Sequence, residues 1–405
     1  MDIRPILSAL RRHKIAATLI VLEIALSCAI LCNAVFLIRT RIQMMDRPSG
    51  LSETDVVRIQ LNRNSTEQRT AAQAEADLVA LRGLPGVKSA AAANTLPLTG
   101  LGRSLDVRMS PEQEPLFETA YYMGDEQLFD AMGLKLVAGR RFNADELVDW
   151  DELNAEDSRL GIPSAIMTKS MAERLFPGEN PIGKTFYAWN DSPITVVGVV
   201  EHMAQAHGYN DPAVYDYSLL LPVKGGFPNY VIRVDAPARR ADVLKAASDA
   251  LWRVDPSRII LKQETAEEMR GGYYQQEREM AWLLVIVCIA MLAVTALGIV
   301  GLASFWVQQR TRQIGVRRAL GATRAQILMY FQTENFLLAS VGIALGMLMA
   351  YGLNQLLIGM YELPRLPLVY LPIGAISLWL LGQFAVLGPA SRAAGISPAS
   401  ATRSL

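Results

Sequence analysis

Apolar positions in this chain gather into four long runs: Ile15 to Ile38, Ala281 to Val307, Asn335 to Ile358 and Leu366 to Gly388. Only the first holds an acidic residue, Glu23; the other three carry no charge. Each exceeds the ~20 residues a helix needs to cross a bilayer core, so four transmembrane helices are expected. Trp282 and Trp306 bracket the second run, about 36 Å apart along a helix, as interfacial anchors at opposite faces would be. The first run is too long for a signal-peptide core, and "IRTRIQMMDR" follows it without a small-residue cleavage site, so it reads as a retained span.

The block from 39 to 280 has a different rhythm. Strand-like alternation appears at 56–61, 105–109, 164–168, 194–200, 217–222, 230–234 and 258–262. Helical spacing appears at Glu67 to Arg82, Glu126 to Met132, Ser170 to Phe176 and Ala238 to Val254. That mixture predicts a large α+β domain inserted between the first and second spans. The acidic stretch 143–158, "NADELVDWDELNAEDS", predicts an exposed, mobile excursion. At the far end, Thr265 and Glu268 form a capping-box pair opening a helix that leads into the second span. Gly271 and Gly272 interrupt it, either as a plain break or as a hinge between domain and stalk.

Charge decides the orientation. The chain has 405 residues, with 39 basic balancing 39 acidic, which argues against nucleic acid as a partner. Arg4, Arg11, Arg12 and Lys14 precede the first span, and the stretch 310–326 between spans two and three carries five arginines and no acid. Only Arg365 lies in the loop 359–365. The positive-inside rule therefore predicts that segment 1–14, loop 308–334 and tail 389–405 are cytoplasmic and 39–280 is periplasmic. Arg39, Arg41 and Arg47 pull the other way, against the denser loop. Cys28, Cys32 and Cys288 all fall inside spans, so the outer block must rely on an ordinary apolar core.

This topology bears on the one nucleotide-like motif. "GENPIGKT", from Gly178 to Thr185, fits G-x-x-x-x-G-K-[ST], whose backbone cradles phosphates only between a strand and a helix. Here helical "AERLF" precedes and strand-like "TFYAW" follows, Pro181 removes one N–H, and the expected compartment holds no ATP. A helix-to-strand turn containing Lys184 is the expectation. His202 and His207, beside Glu201 and Asp211, have a spacing that suits solvated loop residues better than metal ligands. No cofactor is expected on this chain.

In the arginine loop, Gly321 closes one short helix, and Thr323 with Gln326 caps the next. A helix along the membrane face followed by one entering the bilayer is expected. Its arginines serve either topology and anionic lipid alone or a docking knob. The fixed position between two spans, and Ile314, Val316 and Leu320 among the arginines, favour docking. Gly342, Gly346 and Ala350 recur every four residues, a small-residue face for close helix contact. Glu23 lies deep enough to need a bundle-facing position. Glu334 and Asn335 lie near the inner surface, and no proton relay is assigned to them.

The segment "RTRQIGVRRALGATRAQILMYFQTENFLLASVGIALG" resembles the FtsX-like permease domain of MacB-type ABC transporters. The inserted block is similar to the MacB-type periplasmic domain in "YYMGDEQLFDAMGLKLVAGRRF", "AIMTKSMAERLFPGENPIGKTF" and "ITVVGVVEHM". The family often carries a "PIGKT" turn at this place. It usually has Glu where this chain has Gln313. The resemblance implies an ABC permease that is not itself an enzyme, with ATP and Mg²⁺ bound by a separate cytoplasmic ATPase. Arg310, Arg312, Gln313, Ile314, Gly315, Arg317, Arg318, Gly321 and Arg324 would form the coupling site. It further implies a second permease chain, as homodimer or heterodimer, in the bacterial inner membrane, with a periplasmic adaptor and outer-membrane channel as candidate partners. Two functions fit: export or extraction of a peptide, antibiotic or lipoprotein, and mechanical signalling to an envelope partner such as a cell-wall hydrolase.

Overall fold

The computed structural model describes residues 14–62, 70–156, 158–206, 214–361 and 365–395. It divides into two compact units, Arg47–Gln275 and the remainder, Met1–Asp46 with Gln276–Leu405. The chain opens with helix α1 (Lys14–Met45), the first span.

The inserted unit begins with β1 (Val56–Leu61), α2 (Ala71–Arg82) and β2 (Val87–Ala93). There follow β3 (Ser104–Val107), β4 (Phe117–Gly124), α3 (Leu128–Met132), β5 (Leu136–Gly139), β6 (Val148–Asp149) and α4 (Trp150–Leu153). Next come β7 (Ser164–Thr168), α5 (Lys169–Leu175), β8 (Thr185–Trp189), β9 (Ser192–Val200), β10 (Ser218–Lys224) and β11 (Asn229–Val234). The unit closes with α6 (Arg240–Val254), β12 (Ile260–Thr265) and α7 (Ala266–Tyr273). Among the described residues the main strand order is β12-β1-β11-β2-β4-β10-β7-β9-β5, with β3, β6 and β8 attached to β4, β10 and β9.

The sheet is mixed. β12, β1, β11 and β2 pair antiparallel, whereas β4 with β10 and β7 with β9 pair parallel. The two halves meet at a narrow seam, where β2 and β4 share the single pair Ala93–Gly124. Gly124 permits that approach: a Cβ there would lie 2.8 Å from the Ala92 carbonyl oxygen and 2.5 Å from Leu128 Cδ2. Asn94 stitches the seam, its Oδ1 accepting the Met123 N–H at 2.8 Å. Ile59, Leu81, Phe186 and Tyr230 are fully buried in the core.

Two strands escaped the sequence pattern, and one expectation needs correction. The strands β2 and β4 have no clear alternation, because both lie centrally and are buried along most of their length. "VKSAAAA" is a helix-favouring composition that burial on both faces overrides. The acidic stretch is also better ordered than its charge suggests. Asn143 and Glu146 cap a short turn, β6 pairs with β10, and Leu153 is buried. Trp150 packs against Trp189 and Phe227, with ring centroids 6.1 and 6.2 Å apart. One aromatic anchor outweighs the solvation of the surrounding carboxylates.

The membrane unit adds α8 (Gln275–Gln309), α9 (Thr311–Ala319), α10 (Arg324–Tyr361) and α11 (Tyr370–Gly395) to α1. Four of these helices are long and apolar enough to cross a membrane; the first three extend past their apolar runs at both ends, and the fourth starts four residues later than its run and ends seven residues beyond it. The small-residue face on α10 packs against α1. A Cβ at Gly342 would meet Ile24 at 2.9 Å, one at Gly346 would meet Cys28 Cβ at 2.5 Å, and Ala350 is fully buried. Asn33 Nδ2 donates to the Ala350 carbonyl at 3.2 Å, and Ser27 and Thr295 hydroxyls join α1 to α8 at 2.8 Å. Glu23 does face the bundle: its carboxylate rests where a Cβ on Gly298 of α8 would come within 2.5 Å. Trp282 is exposed as an anchor should be, but Trp306 is not: it is buried among the helices.

Candidate functional site

The arginine loop folds as a corner, a helix and a second corner. Arg310 is the first corner, between the end of α8 and the start of α9. Its N–H donates back to the Trp306 carbonyl at 3.1 Å and its own carbonyl accepts the Ile314 N–H at 2.9 Å, so one residue closes α8 and opens α9. At the second corner Gly321 has φ +97°, in the left-handed region that favours glycine. The Gly321 N–H donates to the Arg318 carbonyl at 3.1 Å and the Ala322 N–H to Arg317 at 3.0 Å, the paired bonds of a Schellman motif. Thr323 and Gln326 then cap α10 reciprocally, at 2.9 and 3.2 Å.

The nine expected coupling residues separate into two groups. Arg312, Gln313, Arg317, Gly321 and Arg324 are exposed, joined by Val316 and by Leu320 at 83% exposure. Arg310, Ile314, Gly315 and Arg318 turn toward the bundle. The Arg310 guanidinium donates to both Glu334 oxygens, at 3.0 and 3.1 Å, and lies 5.7 Å from the Trp306 ring centre. Arg318 donates to the Ala394 carbonyl at 3.1 Å, near the end of α11. Arg317 remains exposed while its guanidinium lies 5.1 Å from the Tyr330 ring centre. The chemistry available is an outward cationic and apolar face on a short helix held from below. Glu334 is the residue that sequence pattern undervalued. Its signal was an acid at the threshold of an uncharged run, with an arginine at the close of the preceding span.

Gly271 and Gly272 do not interrupt their helix. α7 passes through both, capped by Thr265 and Glu268, and the break falls at Tyr274 before α8 starts. A Cβ on either glycine would meet nothing within 4 Å. Arg270 in α7 is tied to Glu53 at 2.8 Å and to the Arg47 carbonyl, and Arg47 lies 5.0 Å from the Tyr215 ring centre. In the membrane unit Arg41 of α1 pairs with Glu277 of α8. Two of the arginines that opposed the charge rule thus have defined partners.

The P-loop-like stretch joins α5 to β8, the reverse of a phosphate cradle. Gly178 and Gly183 both have positive φ, and Lys184 pairs with Glu179 while lying 5.1 Å from the Phe176 ring centre. These residues do not fit a nucleotide. His202 Nδ1 stands 2.9 Å from Asp216 Oδ2; His207 and Asp211 lie outside the described residues. Elsewhere in the inserted unit, burial pushes the Asp125 carboxyl up to about 6, against the pull of Arg82 at 2.5 Å. A cleft of about 330 Å³ opens beside that pair, lined also by Glu75, Leu78, Glu126 and Lys224.

The MacB-like periplasmic core domain family matches residues 17–250, and the FtsX-like permease C-terminal family matches 285–398. The chain belongs to the MacB/FtsX-type ABC transporter permeases. It is 24% identical over 336 residues to the uncharacterized ABC transporter permease YknZ of Bacillus subtilis (strain 168), covering 81% of this chain and 78% of that protein. It is 25% identical over 260 residues to the macrolide export ATP-binding/permease protein MacB of Neisseria meningitidis serogroup A. That match covers 63% of this chain and 38% of the relative, so the permease spans well under half of MacB. The periplasmic region of MacB from Actinobacillus actinomycetemcomitans aligns with a TM-score of 0.35 at 18% identity, over 57% of this chain and 97% of that one. Membership implies an ATPase partner for the permease.

Proposed function

We propose that this permease converts ATP hydrolysis by a separate ATPase subunit into movement of its inserted domain, for export or extraction of a peptide, antibiotic or lipoprotein. The observation that carries this reading is the two-sided arginine helix. Arg312, Gln313, Val316, Arg317, Leu320 and Arg324 face outward, while Arg310, Ile314 and Arg318 hold the helix to the bundle. A helix serving lipid charge alone has no need of so firm a seat. In this reading the helix docks in an ATPase groove with apolar lining and an acidic rim, and ATP and Mg²⁺ stay on that partner. The unit works as a dimer of permease chains in the bacterial inner membrane, with the inserted domain periplasmic and the arginine helix cytoplasmic. Stalk movement is taken up around Gly271, Gly272 and the break at Tyr274. The name of the MacB relative, a macrolide exporter, supports export over signalling; an adaptor and outer-membrane channel complete such a path.

The test is charge reversal on the exposed face, Arg312→Glu with Arg317→Glu. Like charge against an acidic groove costs several kcal/mol at a complementary interface. The variant should insert at normal levels and fail to co-purify with its ATPase, and retained ATPase at wild-type levels would refute the docking role. Orientation is checked with single cysteines at Asp151 and Gln313. A membrane-impermeant reagent added outside should modify the first and spare the second.

A further inference from the structure

Beneath the outward face lies a charge pair that membership in the family does not explain. Glu334 is 1% exposed and the Arg310 side chain 11%, at a level where α8, α9 and α10 converge. A buried ion pair offers little net stability over an apolar pair, because desolvation consumes most of the attraction. Breaking one, by contrast, leaves a buried charge without its partner. Such a pair therefore specifies one arrangement more than it strengthens it. The geometry here fits that role. Arg310 is the corner residue itself, so its backbone sets the angle between α8 and α9 while its side chain reaches α10. Trp306, buried one turn earlier, lies 5.7 Å from the guanidinium and closes it in. One turn from Glu334, Tyr330 carries Arg317 of the same short helix at 5.1 Å.

We propose that the Arg310–Glu334 pair is the positioning element that fixes the arginine helix to the second and third spans, so that a load on the helix reaches both together. The positional claim stands on geometry; its consequence for coupling rests on the docking reading above. Without the pair, α9 keeps its exposed face but swings at the Arg310 corner, and its seat under Ile314 opens.

Ile314, 5% exposed, reports that seat. In a chain with the three native cysteines replaced, Ile314→Cys should react slowly with a water-soluble maleimide applied to the arginine-loop side of open membranes. Glu334→Gln, close in shape and lacking the charge, should raise that rate by about tenfold or more, as local opening of a held element does. The exposed control Gln313→Cys should react at the same rate with and without Glu334→Gln. The exchange Arg310→Glu with Glu334→Arg should return Ile314→Cys to within about threefold of the parent. Arg310→Lys, which keeps charge and loses the fork, should fall between. An unchanged rate in Glu334→Gln overturns the proposal, as does an exchange variant that inserts normally and stays open. In the assembled complex Glu334→Gln should keep its ATPase bound and lose turnover coupled to substrate movement. If the Arg312→Glu, Arg317→Glu variant retains the ATPase, docking fails while the Ile314 result stands, so the two readings fail separately.

Discussion

In the inserted unit Val57, Ile59, Leu219 and Leu221 lie inside, and Asp145, Asp151, Glu152 and Glu156 of the acidic stretch lie outside. In the membrane unit Leu283, Ile286, Ile289 and Leu297 lie on the surface, while Ser27, Thr295, Glu334 and Asn354 lie inside. Both arrangements follow from one cost, that of a polar group without a partner, applied in two solvents. Water satisfies an exposed carboxylate and rejects an exposed leucine. Lipid does the reverse, so polar side chains retreat to meet one another. The difference teaches where each unit is vulnerable. The inserted unit depends on a dry core and a few buried charges, whereas the bundle depends on close backbone contact and hydrogen bonds between helices.

The largest effect expected from breaking this comparison is at Asp77, wholly buried on α2 with Arg258 and the Tyr230 hydroxyl as partners. Asp77→Ala takes the nearer carboxylate from the buried Arg258 and leaves it only Asp255 at 3.4 Å, at a cost of about 3 kcal/mol to the inserted unit. Thermal unfolding of the purified full chain, followed by circular dichroism, should show a low-temperature step while the helical signal of the spans persists. An unchanged profile would mean that water reaches Arg258.

Next in size is a pH effect in the same unit. Asp125 titrates at about 6 in the folded chain, above its ordinary value near 3.8. A carboxyl raised by folding contributes stability that is complete below its unfolded value and lost as pH rises through its folded one. Relative to Asp125→Asn, the wild-type chain should therefore gain on the order of 2–3 kcal/mol between about pH 6.5 and 4. Equal pH slopes in the two proteins would contradict the burial argument.

In the bundle, Gly346→Leu places side-chain atoms where α1 already stands, a Cβ alone coming within 2.6 Å of the Ala25 carbonyl oxygen. Overpacking of about 1–3 kcal/mol should lower the detergent-solubilised yield of folded chain. Gly352→Leu, where a Cβ meets nothing within 4 Å, should not. Similar losses at both positions would remove the close-contact explanation. The smallest effect is at Lys184, whose ion pair with Glu179 is largely exposed. Lys184→Ala should shift stability by no more than about 0.5 kcal/mol and leave ATP turnover of the complex unchanged. A selective loss of nucleotide binding would reopen the phosphate-cradle question.

Much of this was legible from pattern. The four spans, the strands β1, β7 and β9, the caps at Thr265 and Thr323 and the left-handed Gly321 each have local causes, and local causes leave marks in sequence. The strands β2 and β4 left none, since central burial and not composition makes them strands. Trp306 looked like an interfacial anchor because spacing along a helix does not say which way the ring points. The glycine pair looked like a break because Gly is poor in isolated helices, yet α7 is held by Met269 and Arg270 on its packed side.

The candidate site shows the same division within nine residues. That a short, basic, capped helix joins the second and third spans was determined by sequence alone, because corners and caps depend on neighbours three or four residues away. Which of its arginines face outward and which hold the helix was decided by tertiary structure. Arg310 and Arg312 are chemically equal and two positions apart, but only Arg310 finds Glu334, a residue brought across from another helix. A guanidinium's role is set by the field around it, and that field is built by residues distant in the chain.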